Sequence, residues 1–120
     1  MIESRRIVIL LCFVALGCGD DPRFCPNDLP LPDALDCDAG PSYQNDIVPL
    51  IMARCFPCHF PGGIEASTHD FSKYSVILMQ KSRILNQIHA CLMPPAGQPD
   101  LDMMQRFTFQ SWLICGARDN

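Results

Sequence analysis

The sequence predicts a small all-α domain preceded by an export segment and an extended linker. Three observations lead there. From residue 42 onward apolar residues recur at helical spacing, as in Ile47, Leu50 and Ile51 or Ile84, Leu85 and Ile88, and no segment alternates as a strand does. Prolines and glycines in this part sit where helices begin or stop. The chain has 120 residues; once residues 1–41 are set aside, roughly 80 remain, a size that usually needs a disulfide, metal or cofactor as a staple.

Residues 1–17 read as a lipoprotein signal peptide. Arg5 and Arg6 supply a positive start, and Ile7–Leu16 is an apolar run too short for a comfortable membrane span. Ala15-Leu16-Gly17-Cys18 resembles a bacterial lipobox, in which the cysteine takes the lipid and cleavage falls just before it. Cys18 is the expected lipidation site, and the mature protein is expected to be exported and membrane-anchored, facing the periplasm or cell surface. A plain secretory signal cleaved near Gly17 or Gly19, or an uncleaved anchor, is the alternative. Residues 18–41 form a lipid-anchored linker rich in proline and aspartate. It holds six aspartates against one arginine, Arg23, and its prolines forbid long helices. Cys25 and Cys37 are expected to pair in an oxidising compartment; two spare thiols are the alternative.

Residues 42–120 carry the helices. The first spans Asp46 to Cys55, with Asp46 as N-cap and Pro49 in the first turn, where its missing N–H costs nothing. Pro61-Gly62-Gly63 is a turn. A helix from about Lys81 to Ala90 follows, with a shorter one near Tyr74 to Leu78 before it. Met93-Pro94-Pro95-Ala96-Gly97 is a stiff loop. The last helix starts near Asp100 and runs to Cys115, with Met104, Phe107, Ser111, Trp112 and Cys115 near one stripe and Gly116 as its stop.

The informative motif is Cys55-Phe56-Pro57-Cys58-His59. C-x-x-C-H is the attachment sequence for c-type haem. Two thiols three residues apart lie on one side of a turn, so each can add to one porphyrin vinyl group. The histidine after them then reaches the iron as proximal axial ligand. A thiol redox pair would want a thioredoxin-like βαβ context, and a zinc site would want a second C-x-x-C or a paired histidine; neither pattern occurs. Met93 is the candidate distal ligand, because the prolines after it lower the entropy cost of fixing its loop. His89 and His69 are its rivals, and Met93 as a core filler is the bland reading.

With these motifs in hand, the stretch from about Tyr43 to Ala117 resembles the cytochrome c domain family. The resemblance rests on a helix leading into Cys55, Cys58 and His59, on Met93-Pro94-Pro95, and on a last helix bearing Trp112. It implies a small all-α fold wrapped around one covalent haem c, with His59 and Met93 as axial ligands to the iron. It also implies electron transfer between a redox donor and acceptor rather than enzymatic turnover. Met93 lies only 34 residues beyond His59, so this would be a compact member. Cys91 and Cys115 are expected to form a second disulfide, tying the Met93 loop to the last helix; two buried thiols are the alternative.

Charge and motif content narrow the remaining classes. A net charge of −4 lacks the basic footprint of a nucleic-acid binder. No Ser-His-Asp set, paired catalytic carboxylates or glycine-rich phosphate loop is present. Lys73, Lys81 and Arg83 are either a docking patch or an ordinary solvated helix face. The alternatives to a carrier are a haem-based sensor or small peroxidase-like enzyme with a displaceable sixth ligand, and a haem subunit of a larger oxidoreductase.

Overall fold

The computed structural model describes residues 32–120. The signal segment, the lipobox Cys18 and Cys25 lie outside the described residues. Three α-helices, α1 (Val48–Arg54), α2 (Tyr74–His89) and α3 (Met103–Ile114), carry the domain, and no strand occurs among the described residues. The fold class is all-α.

A wide π-type turn, Tyr43–Ile47, leads directly into α1. It is capped by Ser42, whose side chain accepts from the Asn45 N–H, while the Asp46 carboxylate accepts from the Ser42 N–H. The helical run thus starts three residues before the predicted cap, and Asp46 acts as the reciprocal partner of the cap. Pro49 has no N–H to give its preceding turn, and the widened turn carries the chain past it. The face read from the sequence, Ile47, Leu50 and Ile51, is buried.

Helix α2 is one continuous helix of 16 residues rather than two pieces. Nothing between Leu78 and Lys81 breaks it, since Met79, Gln80 and Lys81 are all good helix formers. It buries Ile77, Ile84 and Ile88. Its end is a Schellman cap: Cys91 N–H bonds the Ile88 carbonyl, Leu92 N–H bonds the Gln87 carbonyl, and Cys91 takes φ +54°.

Helix α3 opens with a capping box between Asp102 and Gln105 and closes at Gly116, whose φ of +96° fits the expected stop. Its buried face differs from the predicted stripe. Of that stripe Ser111 and Trp112 are buried, but Met104 and Phe107 are exposed, and Arg106, Phe109, Gln110 and Leu113 point inward as well. Hydropathy misplaces the face because two long polar side chains, Arg106 and Gln110, occupy core positions. Trp112 is 1% exposed; it stacks on Tyr43 at 5.4 Å and donates through Nε1 to the Arg118 carbonyl. Tyr43 in turn packs on Tyr74 at 5.0 Å, and the Tyr74 hydroxyl donates to the Ala117 carbonyl. This aromatic cluster joins the start of α1, the start of α2 and the end of α3.

The cysteine pairing departs from both sequence expectations. Cys37 is bonded to Cys115. Neither the Cys25–Cys37 nor the Cys91–Cys115 bridge forms, because each would need a sulfur already used. Cys91 is itself disulfide-bonded and is not a free thiol. Sequence spacing favoured near neighbours, whereas the fold brings Cys37 beside the end of α3, with a Cα–Cα distance of 5.4 Å across 78 residues. From Cys37 onward the stretch read as linker is therefore tied to the helical domain, and Asp38 also pairs with Arg118 at the surface.

Candidate functional site

The end of α1 delivers the C-x-x-C-H segment. Cys55 N–H and Phe56 N–H both bond the Ile51 carbonyl, and His59 N–H bonds the Cys55 carbonyl, so the motif continues the helix through a turn that widens at Phe56. Gly63 closes that turn against it. A Cβ at this position would lie 2.0 Å from the Pro57 carbonyl oxygen and 2.4 Å from that of Cys58, so only glycine fits. Glu65 N–H then bonds the Cys58 carbonyl.

His59 is fixed by residues 69–71 beside it. Its carbonyl accepts from the Phe71 N–H at 2.7 Å. Its ring stacks on Phe71, with centroids 4.3 Å apart and planes 8° from parallel. Nδ1 lies 3.1 Å from the His69 carbonyl oxygen. A carbonyl only accepts, so Nδ1 carries the proton and Nε2 keeps its lone pair. Burial lowers the His59 pKa from its ordinary 6.5, which favours the neutral ring that a metal requires.

The same logic fixes His69. Gln80 Nε2 donates to the Thr68 carbonyl, so its Oε1 is the acceptor facing His69 Nδ1 at 2.6 Å. His69 Nδ1 is therefore the donor in that bond. Cys55 and Cys58 are free thiols. Burial pushes the Cys55 thiol up to about 12, so it stays protonated at neutral pH.

Cys55, Cys58, His59 and Met93 line one cleft of about 460 Å³, within the range of cofactor pockets. Its walls include the apolar Phe71, Ile84, Ile88, Leu101 and Phe109. Pro94 and Pro95, next to Met93, line it as well. Of the rival ligands, His69 lines the cleft and His89 does not. Arg54 and Arg83 are the cations at its edge. Of the three residues considered for a docking patch, Lys73 is engaged with Asp70 at 3.2 Å and only Arg83 reaches the cleft.

Among the described residues no group of three or more His, Cys, Asp or Glu side chains could hold a metal ion by itself. No helix among them is long and apolar enough to cross a membrane. Gly63 and Phe71 are site residues that sequence reasoning missed, and His69, read there only as a rival ligand, also orients His59 through its backbone carbonyl. Only the Gly-Gly pair after Pro61 offered a signal, and it was readable as a plain turn. No family model, curated protein or solved structure matches this chain.

Proposed function

We propose that this chain binds one covalent haem c in the cleft and serves as a lipid-anchored electron carrier. One observation carries the reading: the His59 Nδ1 hydrogen bond to the His69 carbonyl leaves Nε2 as a donor pair in a cleft shared with two free cysteines and Met93. The residues fit the group. Two thiols three positions apart suit two vinyl carbons, each S–H adding across one C=C with no other reactant. An imidazole Nε2 and a thioether suit the two axial positions of the iron, and apolar walls suit the porphyrin faces. Arg54 and Arg83 suit its carboxylates.

When bound, the haem iron supplies one-electron redox chemistry. The chain's part is to hold that centre still. Phe71 and the His69 carbonyl orient the His59 ring, raise its basicity through the shared proton and restrict its rotation. Met93 supplies a soft, neutral donor, which raises the reduction potential relative to a second histidine. His59 and Met93 would both be engaged in holding the group, which fits a carrier rather than an enzyme. The anchor at Cys18 and the export signal belong to this reading, as do a redox donor and acceptor as partners.

Expression with a haem-attachment system tests it. The mature protein should exceed its chain mass by one haem, and denaturation in acid–organic solvent should not release the colour. His59→Ala should abolish low-spin iron, and Met93→Ala should open the sixth position to carbon monoxide. Extractable haem, or none, would refute the assignment. Ready carbon monoxide binding by the unmodified protein would turn it from carrier to sensor or enzyme.

A further inference from the structure

Helix α3 buries an arginine that the cleft does not use. Arg106 is 1% exposed and does not line the cleft. Its guanidinium spans two points in the chain. Nη1 donates to the Ile88 carbonyl at the end of α2. Nη2 lies 3.0 Å from the Asp100 carboxylate, which also accepts from the Leu101 N–H. Ile88 and Asp100 are the two ends of the segment that carries Met93. Between them the backbone is tied by Leu92 N–H and Met93 N–H to the Gln87 carbonyl, and by Gln98 N–H to that of Pro95.

We infer that Arg106 is a positioning residue that clamps both ends of the Met93 loop and so holds the thioether in the cleft. The inference rests on the haem reading for its consequence, though not for its geometry. A buried guanidinium is expensive to desolvate, and a well-packed apolar side chain of similar length would serve the core as well or better. What an apolar side chain lacks is the fork: two N–H groups at a fixed angle that join a helix-end carbonyl to a carboxylate twelve residues later in the chain. Cys91, the first residue beyond the helix cap, is held by its own disulfide, which leaves the far end of the loop dependent on Asp100.

The test is hydrogen exchange on the purified full chain, comparing Arg106→Met and Asp100→Asn with the parent. Arg106→Met should speed exchange of the Leu92, Met93 and Gln98 amides by about tenfold or more. The Trp112 indole N–H and the α1 amides should keep their rates. Asp100→Asn should give a smaller rise at the same three amides. It retains Arg106 and its bond to Ile88, so it decides the matter if Arg106→Met does not fold. In haem-loaded protein, Arg106→Met should also lose the sulfur-to-iron charge-transfer band and bind carbon monoxide, with covalent haem retained; Arg106→Lys should restore part of the band. Unchanged loop exchange in Asp100→Asn, or a rise in Arg106→Met that is equal across the loop and Trp112, would overturn the clamp. A chain that carries no covalent haem would refute the haem reading alone, and the exchange rates would still decide the clamp.

Discussion

The two walls of the cleft are built in opposite ways. The His59 wall is local: every contact that fixes the ring comes from residues 55–71, through the Cys55, His69 and Phe71 backbone and the Phe71 ring. The Met93 wall is remote in part: Leu92, Met93 and Gln98 make local backbone bonds, but the two ends of the loop are joined from α3. Its loop is steadied from α2 behind it and from α3 ahead of it, with the Arg106 guanidinium reaching both ends. A wall made of neighbours forms as soon as its own segment folds. A wall made of distant partners waits for α2 and α3 to pack.

The largest effect should come from breaking the local wall where it has no slack. Gly63→Val would put side-chain atoms inside the Pro57 and Cys58 carbonyls. Backbone cannot yield there as a side-chain tip would, so the loss should exceed about 4 kcal/mol. Thermal unfolding and the yield of attached haem measure it; near-normal values for both would show that the 57–63 turn is not tight.

A change that touches neither wall gives the reference. Cys37→Ser opens the bridge to Cys115, which closes a loop of 78 residues and contributes up to about 4.5 kcal/mol in the chain-entropy model. Urea unfolding should show that loss while amide exchange in residues 55–71 and 92–98 stays unchanged. If exchange there rose as well, the bridge would be coupled to the cleft.

A smaller cut separates the walls. Asp102 caps α3, and its partner Gln105 also accepts from Arg54 Nε at 3.2 Å, linking the start of α3 to the end of α1. Asp102→Ala should cost about 1 kcal/mol. Hydrogen exchange should rise in residues 92–102 and not in residues 55–71. An equal rise in both would mean that the walls share one folding unit.

The same division explains what could be read from the sequence. That Cys55, Cys58 and His59 line one cleft was legible because three residues at that spacing fall on one turn. The α1 face and the Gly116 stop were legible because period and cap are local. Met93 was reachable through the prolines beside it. The disulfide partners, the inward face of α3 and the role of Arg106 depend on which distant segments meet. A carbonyl such as that of His69, which orients His59, leaves no trace in side-chain identity. Even so, Gly63 could have been singled out, since a second glycine after Pro61-Gly62 exceeds what the turn alone requires.

The smallest effect is one of pH, and it belongs to the local wall. Burial lowers the His59 pKa below the ordinary 6.5 that the unfolded chain keeps. Glu65 and the hydrogen bond to the His69 carbonyl oppose this without reversing it. Between the folded and unfolded values the unfolded chain binds more protons, so unfolding free energy rises with pH in that interval. His59 therefore leaves stability intact above 6.5. As pH falls below 6.5 it subtracts from stability, until the folded pKa is passed and the loss levels off. A metal on Nε2 competes with the same proton and would deepen the dependence without changing its sign. Denaturant unfolding of the full chain across this range, beside His59→Gln, isolates the contribution: the variant should be flatter on the acid side. An equally steep variant would place the acid sensitivity elsewhere, and the His59 ring would then be solvated more freely than its stacking on Phe71 implies.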